Sequence, residues 1–106
     1  MSLVFEFHPE ARAELFADVD WYDAREPGLG ERFELAVRAA VDTAADSPEA
    51  WAAWPGWEHE PVVRSKGVND FPYRVVCLVH RDRLIVVAVA HAKRRPGYWR
   101  ERLASD

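Results

Sequence analysis

The sequence predicts an α+β domain: a small, mostly antiparallel four-stranded sheet with an N-terminal helix hairpin packed on one face. Three observations predict it. Between Pro9 and Ala45 apolar residues recur every three or four positions, with a single break at Glu26-Pro27-Gly28-Leu29-Gly30, which is the period of two helices with one buried stripe each. From Val62 onward the period falls to two, or the runs become continuously apolar, as in half-buried or fully buried strands. The chain has 106 residues, 49% of them hydrophobic and 30% charged, enough for one core but not two, so residues 1–106 read as a single domain.

Leu3, Phe5 and Phe7 alternate with their neighbours in a first strand, 3–7. Pro9 suits the first position of a helix because its missing N–H is not needed there, and Glu10 and Glu14 favour the positive end of the dipole. That helix spans about 10–25. Ala11, Leu15, Val19 and Tyr22 form its buried stripe, with Phe16 beside it and Trp21 extending the apolar face; Glu10, Glu14, Asp18 and Asp20 face elsewhere. A short Pro-Gly connection makes an antiparallel hairpin with a second helix at 29–45, whose inner face is Leu29, Phe33, Ala36, Val37, Ala40, Val41 and Ala44. Ser47-Pro48 ends it. Residues 48–61 form a loop containing Trp51, Trp54 and Trp57, which either plugs one end of the core or forms an exposed platform. Strands at 62–68, 73–79 and 84–90 follow. The first has Arg64 and Lys66 on one face and Val63 and Ser65 on the other. The connection His80-Arg81-Asp82-Arg83 is short enough to make the last two strands an antiparallel hairpin. The order is β-α-α-β-β-β plus a short C-terminal helix or turn.

The net charge of −4 conceals a division: residues 1–60 carry 14 acidic and 4 basic side chains, −10, and residues 61–106 carry 4 acidic and 10 basic, +6. General affinity for nucleic acid does not follow from that total, but a local positive patch does. The N-terminal residues have no basic segment before a long apolar run, so no export signal or membrane span is expected, and the protein is placed in the cytoplasm. Cys77, the only cysteine, lies within a strand and reads as a buried thiol. The histidines at 8, 59, 80 and 91 show no ligand spacing, so no metal or other cofactor is expected.

Chemically capable side chains gather at one end of the hairpin. Arg74 opens one strand; His91, Lys93, Arg94 and Arg95 close the next; Tyr98 and Trp99 follow Pro96-Gly97. Antiparallel pairing brings the start of one strand to the end of the other, so Arg74, His91, Lys93 and Arg94 are expected in one concave positive patch. Were Arg74 on the opposite sheet face, Arg64 and Lys66 would be the better cations. Structural roles stay open beside this: Arg74 paired with a helix carboxylate, His91 hydrogen-bonded at a strand end, and Tyr98 and Trp99 pinning the C-terminal segment to the sheet.

With this element order, the strings PGLGERF, FPYRVV and VVAVAHAKRRPGYWRER resemble the RelE/ParE superfamily of toxins from bacterial type II toxin–antitoxin modules, plasmid-stabilisation proteins in particular. The resemblance implies a cognate antitoxin partner and one of two activities. RelE-like members are metal-independent endoribonucleases acting on ribosome-bound mRNA; ParE-like members inhibit DNA gyrase by binding it. For the nuclease branch the resemblance assigns Arg74 to clamp the phosphate, Lys93 and Arg94 to the basic pair after the last strand, and Tyr98 to stack on a base. His91 is the acid–base candidate because an imidazole titrates near neutrality, with Glu60 a weaker one. Arg64, Lys66, Arg74 and Arg95 are the phosphate-binding or target-binding set. The negative total charge favours the gyrase-inhibitor branch, and a third reading is a non-toxic antitoxin-binding remnant. The antitoxin is expected over the helix hairpin and along the sheet. There it would cover an apolar strand face bearing Val76, Leu78, Val87 and Val89, left exposed in the free monomer, and so form a complex that tolerates moderate salt.

Overall fold

The structure, a computed structural model, describes residues 2–104. Its elements are β1 (Val4–Phe7), α1 (Pro9–Arg25), α2 (Leu29–Asp46), β2 (Arg64–Gly67), β3 (Tyr73–His80), β4 (Arg83–His91) and a closing 3-10 helix, Arg100–Ala104. The order is the expected one, and the two helices lie against one face of the sheet.

Local chemistry sets the boundaries. His8 caps α1 by accepting the Glu10 N–H on Nδ1 at 3.1 Å, with Pro9 at the first turn. At the corner between the helices Asp23 Oδ1 accepts the Gly30 N–H at 2.7 Å. Gly30 is needed there: a Cβ would lie 2.4 Å from the carbonyl oxygen of Val19, so only glycine lets the helices meet this closely. β3 and β4 run further toward each other than the sequence suggests. Only Arg81 and Asp82 remain in the turn, with φ of 52° and 63°, the left-handed pair of a two-residue type I′ hairpin. β2 is shorter than the expected 62–68, and just before it the Val63 carbonyl accepts the Trp54 N–H at 2.7 Å, beside an isolated bridge between Ala53 and Arg64.

The sheet order is β1-β4-β3-β2, with β1 parallel to β4 and the other pairs antiparallel. The register shifts between Val76 and Cys77: Val76 pairs with Ala88, Cys77 with Val86, and Val87 is left over. This bulge puts the consecutive residues Val87 and Ala88 on the same face, away from the helices.

There are two cores. The larger lies between sheet and helices, built from Ala11, Leu15, Phe33, Val37, Val41, Val75, Val86 and neighbours; the stripe read from α1 and α2 is buried here except for Leu29, and Phe16 beside it is exposed. The smaller covers the other face and corrects an expectation. Val76, Leu78 and Val87 are not exposed in the monomer; they lie under Trp99, itself 0% exposed, with Trp54 edge-on at 5.1 Å and Trp57 at 6.0 Å. Val89 is buried on the helix side. The cause is the turn at Pro96-Gly97, which returns the chain across the sheet and sets one large ring over several valines. The Trp loop is thus packing on both faces: Trp54 and Trp57 serve the small core, and Trp51 lies against the large one with Lys66 over its ring at 4.8 Å. Trp21 does not extend the buried face of α1. It is 50% exposed, with the Arg25 guanidinium stacked on it at 3.8 Å.

Candidate functional site

The open end of the β3–β4 hairpin borders a groove of about 480 Å³. Arg74, Arg94 and Arg95 are its cations, and Phe71, Tyr98 and Trp54 are among its rings; His91 also lines it. The register decides what these groups can do together. Tyr73 pairs with His91, and Arg74 with Ala90, so Arg74 and His91 point to opposite faces of the sheet. Arg74 lies on the side of the small core, where its Nε donates to Ser65 Oγ at 2.9 Å and its Nη2 to the Ser65 carbonyl at 3.3 Å. His91 turns toward the helix side, its ring edge-on to Tyr73 at 4.9 Å, and its Nδ1 accepts the Lys93 N–H at 2.9 Å. The expected single patch therefore divides. Arg74, Arg94, Arg95 and His91 all border the groove, but the register sends the Arg74 and His91 side chains off opposite faces of the sheet. Among the described residues Arg74 takes no helix carboxylate either; its hydrogen bonds go to Ser65 of the neighbouring strand.

Arg94, Tyr98 and the closing 3-10 helix meet on one carboxylate. β1 ends at Phe7, so β4 continues past it from Val87 to His91 with no described strand on that edge. Glu14 of α1 fills that place: its Oε1 accepts the Val89 N–H at 3.0 Å and Arg102 Nη1 at 3.1 Å, and its Oε2 accepts the Tyr98 hydroxyl at 2.6 Å and Arg102 Nη2 at 2.8 Å. Arg102 Nη1 also donates to the Val87 carbonyl at 2.8 Å. The two side chains thus pair with the edge of β4 as a strand would, and they are only 8% and 13% exposed. Arg94 stacks on Tyr98 at 3.8 Å, with Nη1 3.8 Å from Glu14. Burial and then the hydrogen bond to Glu14 push the Tyr98 phenol well above its usual range, so it holds its proton throughout the physiological range. The same carboxylate raises Arg102.

Glu14 is the residue the sequence reading missed, having been read only as a helix-start carboxylate off the apolar stripe. Asp18, one turn further on, is likewise half-buried, and burial raises its carboxyl above the ordinary value, with the Tyr73 hydroxyl, His91 and Arg94 as opposing influences. The sequence held a signal: Glu10, Glu14 and Asp18 recur every four residues on one side of the apolar stripe, in the acidic half of a chain whose other half is basic. Arg64 and Lys66 share the helix-side face, as read, and so do not join Arg74. Arg64 Nη1 donates to the Trp51 carbonyl at 2.7 Å. Lys93 is exposed and absent from the groove lining. Glu60 lies by a different cavity, of about 540 Å³, with Trp57, Leu78 and His80.

The βααβββ order, the mixed four-stranded sheet and the helix hairpin on one face are the fold expected of the RelE/ParE-type toxins. Within that class, the ParE toxin family of type II toxin–antitoxin systems, parDE, matches residues 5–96, and the chain belongs to that family. Among solved structures, a chain of the chromosomal ParDE system from P. aeruginosa superposes with a TM-score of 0.71 at 16% identity, covering 87% of this chain and 98% of that one. At that identity the likeness is one of fold. No curated protein matches the sequence. The family match ends at Pro96, so Tyr98, Trp99 and Arg102, which close the second face and the β4 edge, lie beyond it.

Proposed function

We propose that this toxin arrests growth by binding an essential protein target, DNA gyrase, rather than by cutting RNA, and that it acts in the cytoplasm under the control of a cognate antitoxin. One observation carries the choice between the branches: the β3–β4 register puts the phosphate-clamp candidate Arg74 and the acid–base candidate His91 on opposite sheet faces. Metal-independent RNA cleavage needs a base near the 2′-OH and cations on the same phosphate, within hydrogen-bond reach of one another. Tyr98 offers no substitute, since its hydroxyl is committed to Glu14. A groove with three arginines and aromatic walls instead suits an acidic, partly apolar surface of a partner.

The antitoxin arrangement is revised at the same time. With Val76, Leu78 and Val87 already covered by Trp99, an added segment gains less apolar area, and charge carries more of the affinity. Induced expression should stop growth, and co-expression of the adjacent reading frame should restore it. On size-exclusion chromatography the two chains should co-elute at low salt and separate increasingly as salt rises. No growth arrest would favour the non-toxic remnant, and failure to co-elute at any salt would remove the antitoxin assignment.

A further inference from the structure

We propose that Glu14 is the positioning residue of the arginine groove, holding the Arg94–Tyr98 stack in place through the edge of β4; this rests on the groove being the target-binding surface. A carboxylate offers about four acceptor sites, and here all are used by donors from three separate segments: Val89 of β4, Tyr98 of the return turn and Arg102 of the closing helix, the last through two N–H groups. Glu10, one turn earlier on α1, adds only a longer ion pair to Arg102, at 3.8 Å and with its own side chain 66% exposed. The consequence is directional. Tyr98 is fixed by its hydroxyl, Arg94 lies on the Tyr98 ring at 3.8 Å, and both face the groove.

Replacing the carboxylate by an amide of the same shape turns one acceptor oxygen into a donor that faces other donors. Glu14→Gln therefore detaches the return turn while leaving the helix-side core untouched, and Glu14→Asp, which keeps the charge, restores part of the effect. Amide hydrogen exchange reads the first half independently of function. In Glu14→Gln the Val89 amide and residues 94–102 should exchange about tenfold faster or more, while Phe33–Val41 of α2 keep their protection. Equal loss everywhere, or none at 94–102, overturns the proposal. The second half is a double-mutant cycle on growth arrest. Glu14→Gln should lower potency about tenfold, yet cost little in an Arg94→Ala background, because the two act as one unit. Additive losses would mean that Glu14 only stabilises the fold, and would overturn its positioning role. If the wild type does not arrest growth, the functional reading fails on its own, and the exchange experiment still decides whether Glu14 holds Arg94 and Tyr98.

Discussion

Asp18 shows at the scale of one residue how the helix meets the basic segment. Burial raises its carboxyl above the ordinary value of 3.8, so the folded chain holds that proton more tightly than the unfolded one. Its charged form then opposes folding: stability is least affected below the unfolded pKa and is lost as pH rises through the folded one. Asp18→Asn should accordingly raise the melting temperature at pH 7, and the gain should vanish near pH 3, about where the wild-type side chain is itself neutral. Thermal unfolding at the two pH values checks this, and an equal gain at both would refute the assignment. The sequence placed Asp18 and Glu14 on the right helix but on the wrong surface. Periodicity identifies an apolar stripe, but which flank of that stripe meets another segment depends on where the last residues of the chain return, and no local pattern encodes that.

The elements were more legible than the contacts between them. Apolar spacing located both helices and all four strands to within a residue or two, because each element buries its own side chains at its own period. The second face was legible only in part: Trp99 pinning the chain to the sheet and the Trp loop as packing were open readings, but no period in those two loops says that Trp54, Trp57 and Trp99 meet on one cover. That cover makes the C-terminal return a structural element in its own right. Trp99→Ala should cost about 3–5 kcal/mol, the range for a buried aromatic removed from a core, and should create binding sites for a dye that reports exposed apolar surface. Trp21→Ala is the control: a half-exposed ring under Arg25 and edge-on to Tyr22 should cost a small fraction of that. Similar losses in chemical denaturation for the two variants would contradict the buried role of Trp99.

For the whole molecule, the two oppositely charged halves are not merely two solvated surfaces. Part of the acidic excess is turned inward, where Glu14 meets Arg94 and Arg102 at the open edge of β4. Arg74 and Arg95 are left bordering the groove with no salt bridge to any carboxylate of the described residues. Arg74 as a groove cation was legible in the sequence, because a strand start must lie by its neighbour's end. Its separation from His91 was not, because the face each residue points to depends on register, and a shift of one position reverses it. That separation is the reason for reading this chain as a toxin that binds rather than cuts. The most direct test gives the purified protein to two assays in parallel: supercoiling of relaxed plasmid by DNA gyrase, and cleavage of messenger RNA on translating ribosomes. The account predicts that supercoiling falls with increasing protein while the message stays intact; cleavage of the message with gyrase unaffected would contradict it.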